Sequence, residues 1–562
     1  MTRRLISAWC LLLCGGSFCV SAQVLYGSMV GNVQDPSNAQ IPEALVVITH
    51  KETRQSRQAS TNDSGAYSFT SIPSGVYAVK VSKAGFAAAS INEVSVTINN
   101  TARANVTLQL GSVAETVLVT SQSPLLQTDR SEVRSEVTSK TLENVPVPLG
   151  RNYQQVFRSL PGFSSPGNAH SIPSNPARAL TFNVNGSSRS SNNTRIDGAS
   201  STNVQLPWIV AYVPSLESIE TVNVVTNSFD AEQGLAGGAA ISVQTKSGSN
   251  NLHGSIFEYH TNNKLKAKAF FLPPGERNPK LVNNQFGGTI GGPIRRDKLF
   301  YFLAYEGTLD RQNAARFSTV PTAAIKRGDM SESPRAIYDP LTGDVSGANR
   351  TAFVNNIVPI GRISSISRKI ADLTPLPNLP GLANNYYSTT PFLFDRHTLD
   401  TKVNWNPTDK LTMFTRYGML DYISNNPQVF GDGLGGPPIS AFGGNPGRGA
   451  GNTFSLTTAV TYLFTPTFLM DAYFGWTKAN TDSEQARLDE KVGADILGIP
   501  GTNGDRRIKG GWPRFIIDTY TNLGINEDFM PYYKRDPQYH LNYAQDQRPS
   551  SDSARLPRPV IE

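Results

Sequence analysis

"GGPIRRDKLFYFLAYEG", Gly291 to Gly307, packs a glycine-proline break, four consecutive charged residues and a run of aliphatic and aromatic side chains into the length of a hairpin. The run Leu299 to Tyr305 is too short for a membrane helix, which needs about 20 apolar residues. It is also too apolar on both faces for a strand with one side in water. The rest of the chain decides what surrounds it.

The chain has 562 residues, room for several domains. Its 47 Gly, 37 Pro, 20 Tyr and 26 Phe against only 17% charged residues favour strands and turns over helices. The formal charge of +7 is mild for this length, and no Lys/Arg block forms a phosphate-binding stripe, so nucleic acid is not an expected partner. The densest basic spot, Arg295-Arg296 beside Lys298, also holds Asp297 and reads as a solvated turn.

At the front, "MTRRLISAWCLLLCGGSFCVSAQ" has two arginines, a hydrophobic stretch from Leu5 to Val20 and then small residues. This is the layout of a secretory signal over residues 1–22, cleaved after Ala22. A lipoprotein signal is disfavoured because bulky Leu13 and Phe18 precede Cys14 and Cys19. Cys10, Cys14 and Cys19 are the only cysteines, so the expected mature chain has no disulfide, thiolate metal site or cysteine nucleophile. No other stretch reaches 18 consecutive apolar residues. An exported, β-rich chain either stays soluble outside the cytoplasm or enters a membrane as a barrel.

Residues 23–111 read as about seven short strands with turn formers such as Asn62-Asp63-Ser64-Gly65 and Pro73-Ser74-Gly75 between them, a β-sandwich. The order "GSMVGNVQDPSNAQIPEALVVI…TNDSGAYSFTSIPSGVYAVKVSKAGF" resembles the carboxypeptidase regulatory-like module, a carbohydrate-binding-like fold. Asn38 stands where that family more often has glycine. The resemblance implies a binding or accessory module with no catalytic residues. Asp63 beside Asn62 lacks the oxygen ligands calcium needs and reads as a hairpin turn. Tyr67, Phe69 and Tyr77 read as sandwich core before a sugar-stacking platform.

Over residues 112–250, "SKTLENVP" and "RNYQQVFRSLPG" suggest two short helices, the second capped near Asn152 and stopped by Pro161-Gly162. "TFNVNGSSRSSNNTRIDGASSTN" and "PSLESIETVNVVTNSFDAEQGLAGGAAISVQTKSGSN" follow. In this order they resemble the α+β plug domain of TonB-dependent outer-membrane receptors of the Oar-like branch, with a turn at Asp197-Gly198 and a glycine-rich strand running on into a barrel. A phosphate-loop reading of Gly234, Gly237 and Gly238 fails, because a strand follows where a helix N-terminus and Gly-Lys-Ser/Thr are wanted. Glu115, Thr116, Val117, Leu118 and Val119 lie where a segment coupling to a TonB-type periplasmic protein would sit, able to add as an edge strand to it. The plainer reading of the same residues is the first strand of the plug.

Residues 251–545 change to longer strands joined by tight turns at 407–409 and 465–467 and by long polar stretches at 310–396 and 423–451. Short turns at one end and long loops at the other are the pattern of an outer-membrane antiparallel β-barrel. In "KLTMFTRYGML", Leu411, Met413, Thr415 and Tyr417 would face lipid and Arg416 the lumen. The resemblance implies about 22 strands, and only 312 residues follow Asn250. The expectation is the N-terminal part of a barrel, followed by a polar tail at 546–562 ending "SARLPRPVIE".

No His-Glu-x-x-His or Gly-x-Ser-x-Gly occurs. His253 and His260 are seven apart and point to opposite faces of a strand, whereas Glu258 and His260 share one, more simply as a polar lumen pair than as ligand groups. The sequence therefore predicts no catalytic, cofactor-binding or metal site. It predicts a mostly β protein of the outer membrane whose partners are lipid, a TonB-type periplasmic protein and an external ligand such as an oligosaccharide, peptide or iron chelate. The alternatives are an exported carbohydrate- or protein-binding surface protein without transport, and a non-functional receptor fragment.

Overall fold

The structure, a computed structural model, describes residues 26–98, 100–111, 116–118, 132–144, 150–228, 236–268, 278–440, 444–465, 468–525 and 530–547. The expected signal, its cleavage site Ala22 and the tail from 548 lie outside them.

The front unit is a sandwich of two sheets. Gly27–Gln34 lies against Ala66–Ile72 and, in parallel, against Thr101–Arg103 and Val106–Thr107. The facing sheet runs Ser56–Ser60, Leu45–His50, Gly75–Ser82, Ala88–Val96, Thr116–Leu118. Alternate residues turn inward, so Met29, Val33, Ile48, Phe69, Val79, Ile91 and Leu108 meet in one core. Tyr67, Phe69 and Tyr77 are buried there and offer no exposed platform. Gly31 is required, since a Cβ would lie 2.7 Å from the Tyr67 ring. Asn38, at φ 67°, takes the left-handed conformation for which glycine is the usual choice. The Asn62 side chain accepts from the amides of Ser64 and Ala66, which makes the 62–65 turn self-sufficient.

The second unit is built on a five-stranded sheet in the order Val133–Thr138, Ile219–Asn227, Ala240–Thr245, Asn193–Ile196, Ala199–Ser200. Ser139–Asn144 is α-helical, and Tyr153–Ser159 is a 3-10 helix whose cap, Asn152, accepts from the Gln154 amide. Thr116–Leu118 belongs to the sandwich, paired in parallel with Ala88–Ser90, so the sheet of this second unit begins at Val133.

The third unit is one antiparallel sheet of eight strands in sequence order: His253–Asn262, Leu281–Arg295, Leu299–Ser318, Tyr386–Thr408, Leu411–Asn426, Gly447–Thr465, Phe468–Glu484 and Tyr532–Gln547. Among the described residues its first and last strands do not pair with each other. Seven were expected at about ten residues each; most run 15 to 23 residues, beyond what a bilayer needs. The eighth, Tyr532–Gln547, contains Pro537 opposite Lys478 and is the outermost strand among the described residues, a position that tolerates proline.

The wall wraps the second unit. Leu411, Met413, Thr415 and Tyr417 face outward, whereas Thr412, Phe414 and Arg416 face in, and Arg416 is completely buried. The hairpin Leu281–Arg295/Leu299–Ser318 behaves likewise: Tyr301, Leu303 and Tyr305 point out, while Phe300, Phe302 and Ala304 point in and are buried. Its aromatics therefore divide between an outer and an inner surface. Outside, Tyr417, Phe454 and Trp476 stack across three strands, and Tyr462, Phe464 and Phe468 cluster at the short-turn end. Phe454 and Phe464 are ten residues apart, about 25 Å along the normal for a strand tilted by roughly 45°, the height of an outer-membrane apolar band.

His50 links the sandwich to this wall. Its Nε2 donates to Ser74 O at 3.2 Å, and its Nδ1 accepts from the amides of Glu52 and Thr53, both at 3.2 Å. Glu52 O in turn accepts from the Asn250 amide where the wall begins. Burial depresses the His50 pKa below its ordinary value. A proton on Nδ1 would also expel both amides. The stability His50 contributes is therefore complete above about pH 6.5, its unfolded value, and is lost as pH falls towards the folded value. The urea midpoint of the detergent-solubilised chain is expected to fall between pH 8 and pH 5, and His50→Gln to flatten that slope.

Candidate functional site

The inner face of the wall is polar, and where the second unit touches it four charged side chains, Glu306, Asp400, Lys402 and Arg416, lie on three successive rungs. Consecutive inward rungs read Phe302–Lys402–Arg416–Thr457, Ala304–Asp400–Gly418–Ser455 and Glu306–Thr398–Leu420–Thr453. Against them stands the turn Asp197-Gly198, with φ of 45° and 89°, joining Asn193–Ile196 to Ala199–Ser200. Asp197 accepts from the Thr245 amide and hydroxyl and from Lys402 Nζ at 3.0 Å, with Arg416 Nε at 3.8 Å.

Arg416 also donates to Asp400 at 2.8 Å, and its guanidinium lies 4.8 Å from the centre of the Tyr212 ring. Asp400 takes the Tyr212 hydroxyl at 2.9 Å and the Ser215 amide at 3.1 Å. Burial first, and Asp400 second, push the Tyr212 phenol well above its usual value, so it stays a donor. Higher up, Glu306 lies between Arg396 at 3.2 Å and Arg151 at 3.6 Å, and Arg151 also donates to Glu217 at 2.7 Å. Arg178 reaches Asp310 at 3.1 Å. Burial pushes the Arg178 guanidinium down to about 10 against the pull of Asp310, so it keeps its charge at neutral pH.

Arg151, Arg178, Arg396, Lys402 and Arg416 balance Asp197, Glu217, Glu306, Asp310 and Asp400. Desolvating such pairs offsets most of their attraction, but removing one partner strands a buried charge. The contact is thus specific in place without being strongly cohesive.

At the long-loop end a cavity of about 620 Å³ opens between His170 and Ser171 of the second unit, Arg316 of the third wall strand, and loop residues Pro437, Pro438, Asn445, Tyr520 and Asn522. Among the described residues no carboxylate lines it, and Arg316 spends Nη1 on Pro438 O at 2.9 Å. Burial, then Lys534 and Arg189, depress the His170 pKa, which leaves that ring neutral.

A family model described as "Outer membrane beta barrel domain" matches residues 244–545. The chain belongs to that family. A second model, "Carboxypeptidase regulatory-like domain", matches residues 28–109. The sequence is similar to the TonB-dependent transporter Oar of Myxococcus xanthus, 24% identical over 511 residues, covering 84% of this chain and 42% of that protein. The chain therefore spans less than half the length of the curated relative it matches. Among solved structures it is similar to the siderophore receptor PirA of Acinetobacter baumannii (13% identity, 73% of this chain and 44% of that one, TM-score 0.37). Another is the outer membrane transporter YddB of Escherichia coli (11%, 63% and 40%, TM-score 0.39). The second unit, a plug by its position alone, lies inside the wall formed by the barrel domain.

Of the residues singled out from sequence, Asp197 and Gly198 lie at the centre of the ionic contact. Thr116, Val117 and Leu118 lie on the sandwich edge; Glu115, Val119 and Ala22 lie outside the described residues. Glu258 and His260 are exposed on the first wall strand, away from the plug, with His260 bonded to Asn284. Asp400, Lys402, Glu306 and Arg396 were missed, although their spacing by two or four along alternating strands was a readable signal of one inward face.

Asp400→Asn is expected to lower stability by about 3–5 kcal/mol, read from the urea midpoint in detergent, because it strands Arg416. Gly418→Ala places a Cβ 2.6 Å from the Tyr212 ring and is expected to cost about 1–3 kcal/mol in the same assay.

Proposed function

We propose that the chain acts as a TonB-dependent outer-membrane receptor and transporter for a large or scarce ligand. The observation that carries this reading is the plug seated in the wall by a balanced set of buried ion pairs. Such a contact holds the plug in register, yet each charged group regains water when the plug shifts, which offsets the loss of its partner. An external ligand enters the long-loop cavity beside His170 and Arg316. A TonB-type periplasmic protein engages the segment 115–119 by strand addition and pulls on the plug. Oligosaccharides, peptides and iron chelates all fit a cavity of this size. The reading of the sandwich as a sugar-binding surface loses its aromatic platform, because Tyr67, Phe69 and Tyr77 are buried.

The test is fractionation with electrophoresis. The chain is expected in outer-membrane fragments, migrating faster unheated than after boiling. A chain that stays soluble in the periplasm, with no heat-dependent shift, overturns the proposal.

A further inference from the structure

Below the plug, the lumen is filled by the sandwich. The plug's strand turn reaches the rung of Lys402, Arg416, Thr457 and Gly475, where a Cβ on Gly475 would fall 2.4 Å from Ala199. The next inward rung towards the short turns is Phe414–Ala459–Tyr473, and these three share a buried cluster with Tyr26, the residue just before the first sandwich strand. The rung after that is Thr412–Thr461–Asp471. On it, Gln55 donates to Thr412 at 2.9 Å, and the buried hydroxyl of Ser71 donates to Asp471 at 2.6 Å. Two successive rungs of the mouth thus carry sandwich side chains.

Clasps on either side hold it there. Asn223 of the plug donates to Ile98 O at 2.8 Å, Thr97 donates to Glu136 at 2.9 Å, and Gln244 bonds to Ser74. Tyr26 belongs to the wall's cluster and not to the sandwich core, so it is a projection of the module into the lumen.

We propose that the front sandwich is a stopper for the short-turn mouth of the lumen, a second closure in series with the plug that must leave before anything passes. The proposal rests on the receptor reading above and adds to it a regulatory contact. Thr116–Leu118 completes the sandwich's own sheet, so the candidate coupling strand and the stopper share one backbone ladder, and a pull on the first is delivered to the second.

The experiment is thiol accessibility in the full chain, in outer-membrane fragments open on both faces, with Cys10, Cys14 and Cys19 changed to Ala. Ala459→Cys puts a thiol directly beneath Tyr26; Ser95→Cys, on the exposed side of the sandwich, is the reference. With a charged maleimide, the Ala459 thiol is expected to react at least tenfold more slowly than the Ser95 thiol. Adding Tyr26→Asp, which sets a carboxylate against the apolar rung, is expected to bring it to within about threefold of the reference. Gln55→Glu, placed near Asp471 at the mouth, is expected to act in the same direction without touching the sandwich core. Equal rates in the unaltered background, or an Ala459 thiol still protected in both variants, overturn the stopper. Heat-modifiable migration of the same samples reads the barrel separately. A heat-modifiable chain whose Ala459 thiol reacts fast therefore rejects the stopper and leaves the receptor reading standing.

Discussion

Everything inside the wall is organised around the place where Asp197 meets Lys402 and Arg416. Two cations on one rung of a barrel strand cannot stay buried without counter-charge, and the counter-charge comes from a tight turn on another unit and from Asp400 one rung above. That requirement fixes the plug's depth and rotation together. A slip of one rung would part Lys402 from Asp197 and Asp400 from Tyr212. The apolar contacts of Phe392, Phe394, Leu420 and Tyr422 with the plug core add cohesion but much less register, since apolar contact is non-directional.

Much of this architecture was legible in the chain. The period-two pattern of residues 411 to 418 gave both faces of a wall strand, and Asp197-Gly198 marked the turn that matters most. What stayed hidden was pairing across distance. Nothing near Arg416 in sequence says that its partner is Asp197, more than 200 residues earlier, because strand registry is set by the whole sheet. The wall strands were read too short because polar residues beyond the lipid band resemble loop, and Tyr532–Gln547 was overlooked because Pro537 argues against an interior strand. Thr116–Leu118 was open between two readings, and its backbone went to a third partner, the edge of the sandwich, since any exposed strand edge accepts an extended segment.

The opening hairpin shows the same division between local and distant causes. Its alternation and charged tip are local, and the turn forms with Asp297 at φ 64°. What holds the tip is distant: Asp297 and Asn250 exchange two hydrogen bonds, each of 2.8 Å, which clasps the turn to the start of the wall. The run too apolar for water turns Tyr301, Leu303 and Tyr305 to the outer surface of the wall and buries Phe300 and Phe302 against protein.

The length of the wall strands has a further consequence. From Phe300 to Arg316 is sixteen residues, about 38 Å of height at roughly 45° tilt, whereas the apolar band is about 25 Å. The strands therefore exceed such a band by about 13 Å, and the cavity beside Arg316 sits at their long-loop end. Arg316 at this cavity is thus carried by a hydrogen-bonded strand opposite Ser388 and not by a loop, so its position is fixed by the ladder of the sheet.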